Sequence, residues 1–136
     1  MEIIVDASAI MAVIADEAES EIVIEYTKDA IIVSPNVLAF EIANGLTKMM
    51  KRRIIEDKGK LINFIEAFKQ IPIKLVEVSL EKTLEIAWDH KIYAYDAYYL
   101  EAAKRLHLPL LTFDGEMKKI GRMIGVEILG EKDASL

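Results

Sequence analysis

The chain has 136 residues, 53% of them hydrophobic, which suits one domain with a substantial core. It has no cysteine and only two histidines, His90 and His107, so disulfides and cysteine zinc sites are excluded and histidine-based metal sites are poorly supplied. The net charge of −6 argues against gripping nucleic acid by bulk positive charge, but leaves open an acidic pocket neutralised by divalent cations.

The opening Met1-Glu2-Ile3-Ile4-Val5-Asp6 is acidic at once and lacks the basic start of a signal peptide. No apolar run approaches the ~18 residues of a membrane span. A soluble, cytoplasmic protein is therefore expected. Gln and Asn are scarce and Lys outnumbers Arg, a composition that leans towards a heat-adapted source.

Glu2–Val5 reads as a buried strand with Asp6 directly after it, and Ala7–Ala15 as a buried helix. After the polar break 16–20, Glu21–Lys28 resumes a helical pattern, and Ala30–Val33 is a second strand ended by Ser34-Pro35. Proline is well tolerated in a first helical turn, so a helix over Asn36–Arg53 follows, with Leu38, Ile42, Leu46 and Met49 at three- and four-residue spacing. Asp57–Gln70 is a further amphipathic helix with Leu61, Ile62, Ile65 and Phe68 on one side. Ile73–Val78 is a strand, and Ser79 caps a helix that runs to His90. Helix Tyr95–His107, strand Pro109–Phe113, helix Gly115–Ile124 and strand Val126–Leu129 complete the order, and a tail over 131–136 is expected to fray. Strands alternating with helices imply a parallel sheet covered on both faces, in one domain over 1–130.

In an open sheet of this kind, ligands bind beyond the carboxyl ends of the strands, near the point where strand order reverses. Asp6 and Asp114 each follow a strand directly, and Asp96 opens a helix whose start can face the same rim. Glu41 lies on the helix after the second strand, with Asn44 one turn on. Each acid has a plainer reading: Asp6, Asp96 and Asp114 as helix caps or turn residues, Glu41 as a solvated side chain. Three junctions each supplying an aspartate to one rim weaken those readings. Two charges about 4 Å apart repel by roughly 4 kcal/mol at an effective dielectric of 20. A hard divalent ion removes that conflict, and an all-oxygen donor set suits Mg2+ or Mn2+ better than zinc.

Val5-Asp6-Ala7-Ser8-Ala9, Glu41-Ile42-Ala43-Asn44-Gly45-Leu46, Tyr95-Asp96-Ala97-Tyr98-Tyr99-Leu100 and Leu111-Thr112-Phe113-Asp114 resemble, in order and spacing, the four motifs of PIN-domain ribonucleases. In size the chain is most similar to the stand-alone VapC-type toxins of toxin–antitoxin pairs. The resemblance implies a three-layer α/β/α fold with a mostly parallel central sheet of about five strands. It also implies a Mg2+- or Mn2+-dependent endoribonuclease, an RNA substrate, a cognate antitoxin and a homodimer. Asp6, Glu41, Asp96 and Asp114 would be the catalytic, metal-binding quartet, with Ser8, Asn44 and Thr112 in support. Whether one ion or two are held stays open. A PIN-like binding or RNA-processing module without a toxin role is the alternative.

Other chemistries are poorly served. There is no Gly-x-Ser-x-Gly elbow, no phosphate-cradling glycine loop, and no second aspartate two residues after Asp6. Lys48, Lys51, Arg52 and Arg53, and again Lys118, Lys119 and Arg122, form basic groups. The first group suits a helix C-terminus by charge alone, or it holds RNA phosphates. The cluster Tyr93, Tyr95, Tyr98 and Tyr99 favours packing over base stacking. Trp88, Met49 and Met50 favour core or interface.

Overall fold

A computed structural model describes residues 1–130, and the tail expected to fray lies outside them. Five strands alternate with seven helices among the described residues: β1 (Glu2–Val5), α1 (Ala7–Ile14), α2 (Ser20–Thr27), β2 (Ile31–Pro35), α3 (Leu38–Lys51), α4 (Lys58–Gln70), β3 (Ile73–Val76), α5 (Leu80–His90), α6 (Ala94–Leu106), β4 (Leu110–Leu111), α7 (Gly115–Met123) and β5 (Ile128–Leu129). The sheet runs β3-β2-β1-β4-β5, and every pairing is parallel. The fold is thus α/β, as the alternation predicts.

Two apolar cores enclose the sheet. Ile3 and Val5 point to a core shared with Ala9, Ile10, Leu38, Ile42 and Leu46 of α1 and α3. Ile4 and Val33 point the other way, onto Tyr99, Leu100, Ala103, Met117 and Ile120 of α6 and α7. Because side chains alternate along a strand, burial of both faces explains the unbroken apolar run that precedes Asp6. From β1 the chain winds outward to β2 and β3, then returns to lay β4 on the other side of β1. Strand order therefore reverses between β1 and β4, and their carboxyl ends flank the crevice where such folds bind ligands.

Several boundaries differ from the sequence reading for local reasons. Pro35 belongs to β2, and the Asn36 amide still donates to the Val76 carbonyl at 2.9 Å, so α3 starts only at Leu38. Strand β4 is two residues long because the chain beyond it turns on a side chain: the Asp114 amide donates to the Thr112 hydroxyl at 3.1 Å. Val126 does not join β5, since its amide closes on the Gly121 carbonyl at 2.8 Å beneath α7. On α4, Ile62 stands in solvent while Phe64 packs with Leu61, Ile65 and Phe68 against the core. Trp88 is 75% exposed and so is no part of the core. No helix among the described residues is long and apolar enough to cross a membrane.

Candidate active site at the strand reversal

Asp6 leaves the end of β1 in an extended conformation and caps α1. Its Oδ1 accepts the Ala9 amide at 3.0 Å and the Ser8 hydroxyl at 2.7 Å. Its Oδ2 accepts the Thr112 hydroxyl at 2.5 Å, across from the end of β4. The Thr112 oxygen itself accepts the Asp114 amide, which leaves its proton for Asp6. The Ser34 hydroxyl donates to the Val5 carbonyl, tying β2 to the last residue of β1. Asp6 is thus fixed from three strands while only 3% exposed. Burial pushes its carboxyl above the usual range, the three donors oppose that, and the charge of Asp114 adds to it.

Asp114 caps α7 and accepts the Met117 amide at 2.9 Å. The cap readings of Asp6 and Asp114 are therefore correct, and they coexist with the meeting of both acids at one rim. For Asp96 the cap reading fails. Tyr93 occupies that position and Asp96 lies inside the first turn of α6. Burial first, then the charges of Asp114, Asp6 and Glu116, push the half-buried Asp96 carboxyl upward.

Glu41 lies in the first turn of α3 and accepts the Tyr99 hydroxyl at 2.7 Å. Its carboxyl is pushed up by burial, held back by Tyr99, raised by Asp6 and Asp96 and lowered by Lys48. Asp6 and Asp96 thus act on Glu41, and Asp114 acts on both Asp6 and Asp96.

The supporting residues separate. Ser8 and Thr112 hold Asp6, whereas Asn44 is exposed and no hydrogen bond joins it to an acid among the described residues. The basic groups separate too. Lys48 acts on Glu41, two helical turns back, but Lys51 stands ten residues from Glu41 along α3, about 15 Å away at 1.5 Å per residue. Lys51, Arg52 and Arg53 are exposed at that far end of the helix. Lys118 and Lys119 lie on α7 just beyond Asp114, with the Lys118 ammonium 5.9 Å from the centre of the Phe113 ring.

Two contributors do not stand out in the sequence. Glu116, in the first turn of α7, adds a fifth carboxylate that acts on Asp96. Tyr99 belongs to a run of tyrosines, yet it is 1% exposed while Tyr93 is 88% exposed. The available signal was its place three residues after Asp96, on the same helix face. Behind the site, Gly130 takes a positive φ of 93°, and a Cβ there would lie 3.1 Å from the Thr112 carbonyl.

As they stand, no three acidic or imidazole groups among the described residues close tightly enough to ligate a metal ion. The donor set fits a hard cation in kind. It is all oxygen, and Asp6, Glu41 and Asp96 each carry a carboxyl that burial first, and then a neighbouring acid's charge, makes harder to ionise. A cation drawing the carboxylates inward would reverse that strain.

Residues 3–123 match the family model described as PIN domain. The chain belongs to the PIN-domain family. It is 30% identical over 121 residues to Ribonuclease VapC3 of Pyrobaculum aerophilum, covering 86% of this chain and 92% of that protein. Ribonuclease VapC1 of Mycobacterium tuberculosis is 27% identical over 121 residues, covering 85% and 88%. Among solved structures, PAE2754 from Pyrobaculum aerophilum superposes with a TM-score of 0.70 at 23% identity, over 94% of this chain and 83% of that one. Mycobacterium tuberculosis VapC20, described as a sarcin-ricin loop cleaving toxin, superposes with a TM-score of 0.61 at 15% identity, over 88% and 95%. These two likenesses establish the PIN fold, and the sequence relatives establish the family.

Proposed function

We propose that this PIN-domain protein is a metal-dependent endoribonuclease that hydrolyses RNA phosphodiester bonds as the toxin of a VapBC-type toxin–antitoxin pair. The observation that carries the reading is the convergence of Asp6, Glu41, Asp96 and Asp114, from four separate elements, near where strand order reverses, with Asp6, Glu41 and Asp96 each under the charge of another of the four. Relatives named as ribonucleases over nearly their whole length support the same activity.

Asp6, Asp96 and Asp114 would hold a Mg2+ or Mn2+ ion, with Glu41 completing that site or a second one. When bound, the ion lowers the pKa of the attacking water and stabilises charge on the phosphate in the transition state. The chain supplies the rest. Ser8, Thr112 and the Ala9 amide keep Asp6 from rotating, so its orientation is set before substrate arrives. Asp114 is set by its cap to Met117. Lys48 on one side, and Lys118 and Lys119 on the other, are suited to hold flanking RNA phosphates. Lys51, Arg52 and Arg53 would engage RNA further out. Exposed Leu80, Leu84 and Trp88, at four-residue spacing on α5, are apolar side chains that a second copy or another protein would cover, in keeping with a homodimer.

The test is cleavage of RNA by purified protein, stripped with EDTA and then supplied with Mn2+ or Mg2+, for wild type and Asp6→Asn. Cleavage that returns with the ion and is absent in Asp6→Asn is expected. In cells, wild type should arrest growth unless an adjacent antitoxin gene is co-expressed, and Asp6→Asn should not. Equal toxicity of the two proteins rejects the toxin reading. RNA binding without cleavage under any metal condition favours a binding module.

A further inference from the structure

Glu41 differs from the other acids in how it is held. Asp6 and Asp114 are clamped by the caps of helices that begin beside them, and Asp96 lies three residues past the cap of its own helix. Glu41 projects from α3, on one face of the sheet, and has no such local partner. Its hydrogen bond comes from Tyr99, 58 residues later in the chain, on α6 across the sheet. The ring of Tyr99 is packed among Ile4, Val33, Leu100 and Ala103, so the hydroxyl has little freedom to move. The phenol proton goes to Glu41, whose Oε1 accepts it at 2.7 Å. A hydroxyl from another element thus meets each of two acids: Thr112 on Asp6 and Tyr99 on Glu41.

We infer that Tyr99 is the positioning residue for Glu41: by binding Oε1 it turns the remaining carboxylate oxygen towards Asp6 and Asp96. This rests on the metal-dependent nuclease reading. Because Asp96 lies one turn before Tyr99 on α6, a single helix both supplies one acid and aims another. Outer partners that orient a metal-binding carboxylate typically change metal affinity or activity by about 10–100-fold when removed. A tyrosine that only fills the core changes stability instead.

Tyr99→Phe keeps the ring and removes the one hydroxyl. Calorimetric titration with Mn2+ alone should show binding weakened about 10-fold, and RNA cleavage should show kcat lowered with KM nearly unchanged. In a Glu41→Ala background, which removes the acceptor, the same substitution should have no further effect on Mn2+ binding. Full Mn2+ affinity in Tyr99→Phe, or an equal loss in both backgrounds, overturns the inference while leaving the nuclease reading in place. A wild-type chain that takes up no Mn2+ overturns both. A second measurement needs no metal. In NMR spectra of the metal-free protein the Tyr99 hydroxyl proton should be protected from exchange and should shift on Glu41→Gln, and a freely exchanging proton overturns the inference.

Discussion

Among the described residues two carboxylates are almost completely buried, and they are treated in opposite ways. Glu101, 2% exposed, is met by the Arg105 guanidinium at 2.6 Å one helical turn later. Arg105 also donates to the Glu77 carbonyl, so the pair fastens the β3–α5 connection to α6. Asp6, 3% exposed, is surrounded by two hydroxyls and an amide, and the charged group acting on it is another acid, Asp114. Hydrogen bonds fix the shape of that carboxylate but leave its charge uncancelled. The first carboxylate is a completed structural joint. The second is a rigid acid held only by neutral donors, as the proposed metal site requires.

A pair of substitutions should separate the two carboxylates. Asp6→Asn should lower RNA cleavage by at least about 100-fold, yet leave the melting temperature of the EDTA-treated protein unchanged or raised. Asparagine caps a helix as well as aspartate does, and it removes a buried repulsion. Arg105→Ala should do the reverse. It should cost about 1–3 kcal/mol, because it strands a buried carboxylate from a partner that is itself partly solvated, and cleavage per folded molecule should be kept. Chemical denaturation beside single-turnover cleavage reads both, and a destabilised Asp6→Asn would mean that the fold depends on that charge.

A pH series sharpens the contrast. Asp6, Glu41 and Asp96 all have carboxyls pushed above their usual range in the native state. The folded chain therefore keeps protons that the unfolded chain has released. The stability this provides is complete below the ordinary carboxylate pKa of about 4, and it disappears as pH rises through the elevated native values. In EDTA the melting temperature of wild type should fall relative to Asp6→Asn across that window, and saturating Mn2+ should remove the gap. A difference that grows in the other direction would mean that the acids are stabilised as anions without metal.

The smallest effect belongs to the far end of α3. Substituting Lys51, Arg52 and Arg53 together by alanine should weaken RNA binding several-fold and flatten its salt dependence, by about 0.7 in log–log slope for each phosphate that is no longer neutralised. Melting and metal affinity should not change. An RNA affinity that is unaffected at every salt concentration assigns these residues to the helix end alone.

Much of this was legible because the relevant physics is local. An apolar run that stops on an acid marks a strand end whichever way the chain goes next, so Asp6 and Asp114 could be placed, together with the parallel sheet and its rim. Short-range competition hid the element ends. Thr112 looks like a strand residue until its hydroxyl is seen taking the Asp114 amide, and Pro35 looks like a helix start until its pairing with Val76 appears. The Tyr99–Glu41 bond joins residues 58 apart across the sheet, and no periodicity encodes such a meeting. Glu101 and Arg105 were invisible for the opposite reason. Their spacing is that of an ordinary exposed ion pair, and only packing reveals that one partner is sealed inside.

Gly130 lies against the back of the segment that carries Thr112, with a Leu111 methyl 2.9 Å and the Thr112 carbonyl 3.1 Å from where its missing Cβ would stand. That small gap ties Gly130 to the geometry of the proposed site. Even a methyl group there would press on the strand end whose hydroxyl aims Asp6, tilting the acid without touching it. The last described residue of the chain is thereby mechanically linked to the first of its acids.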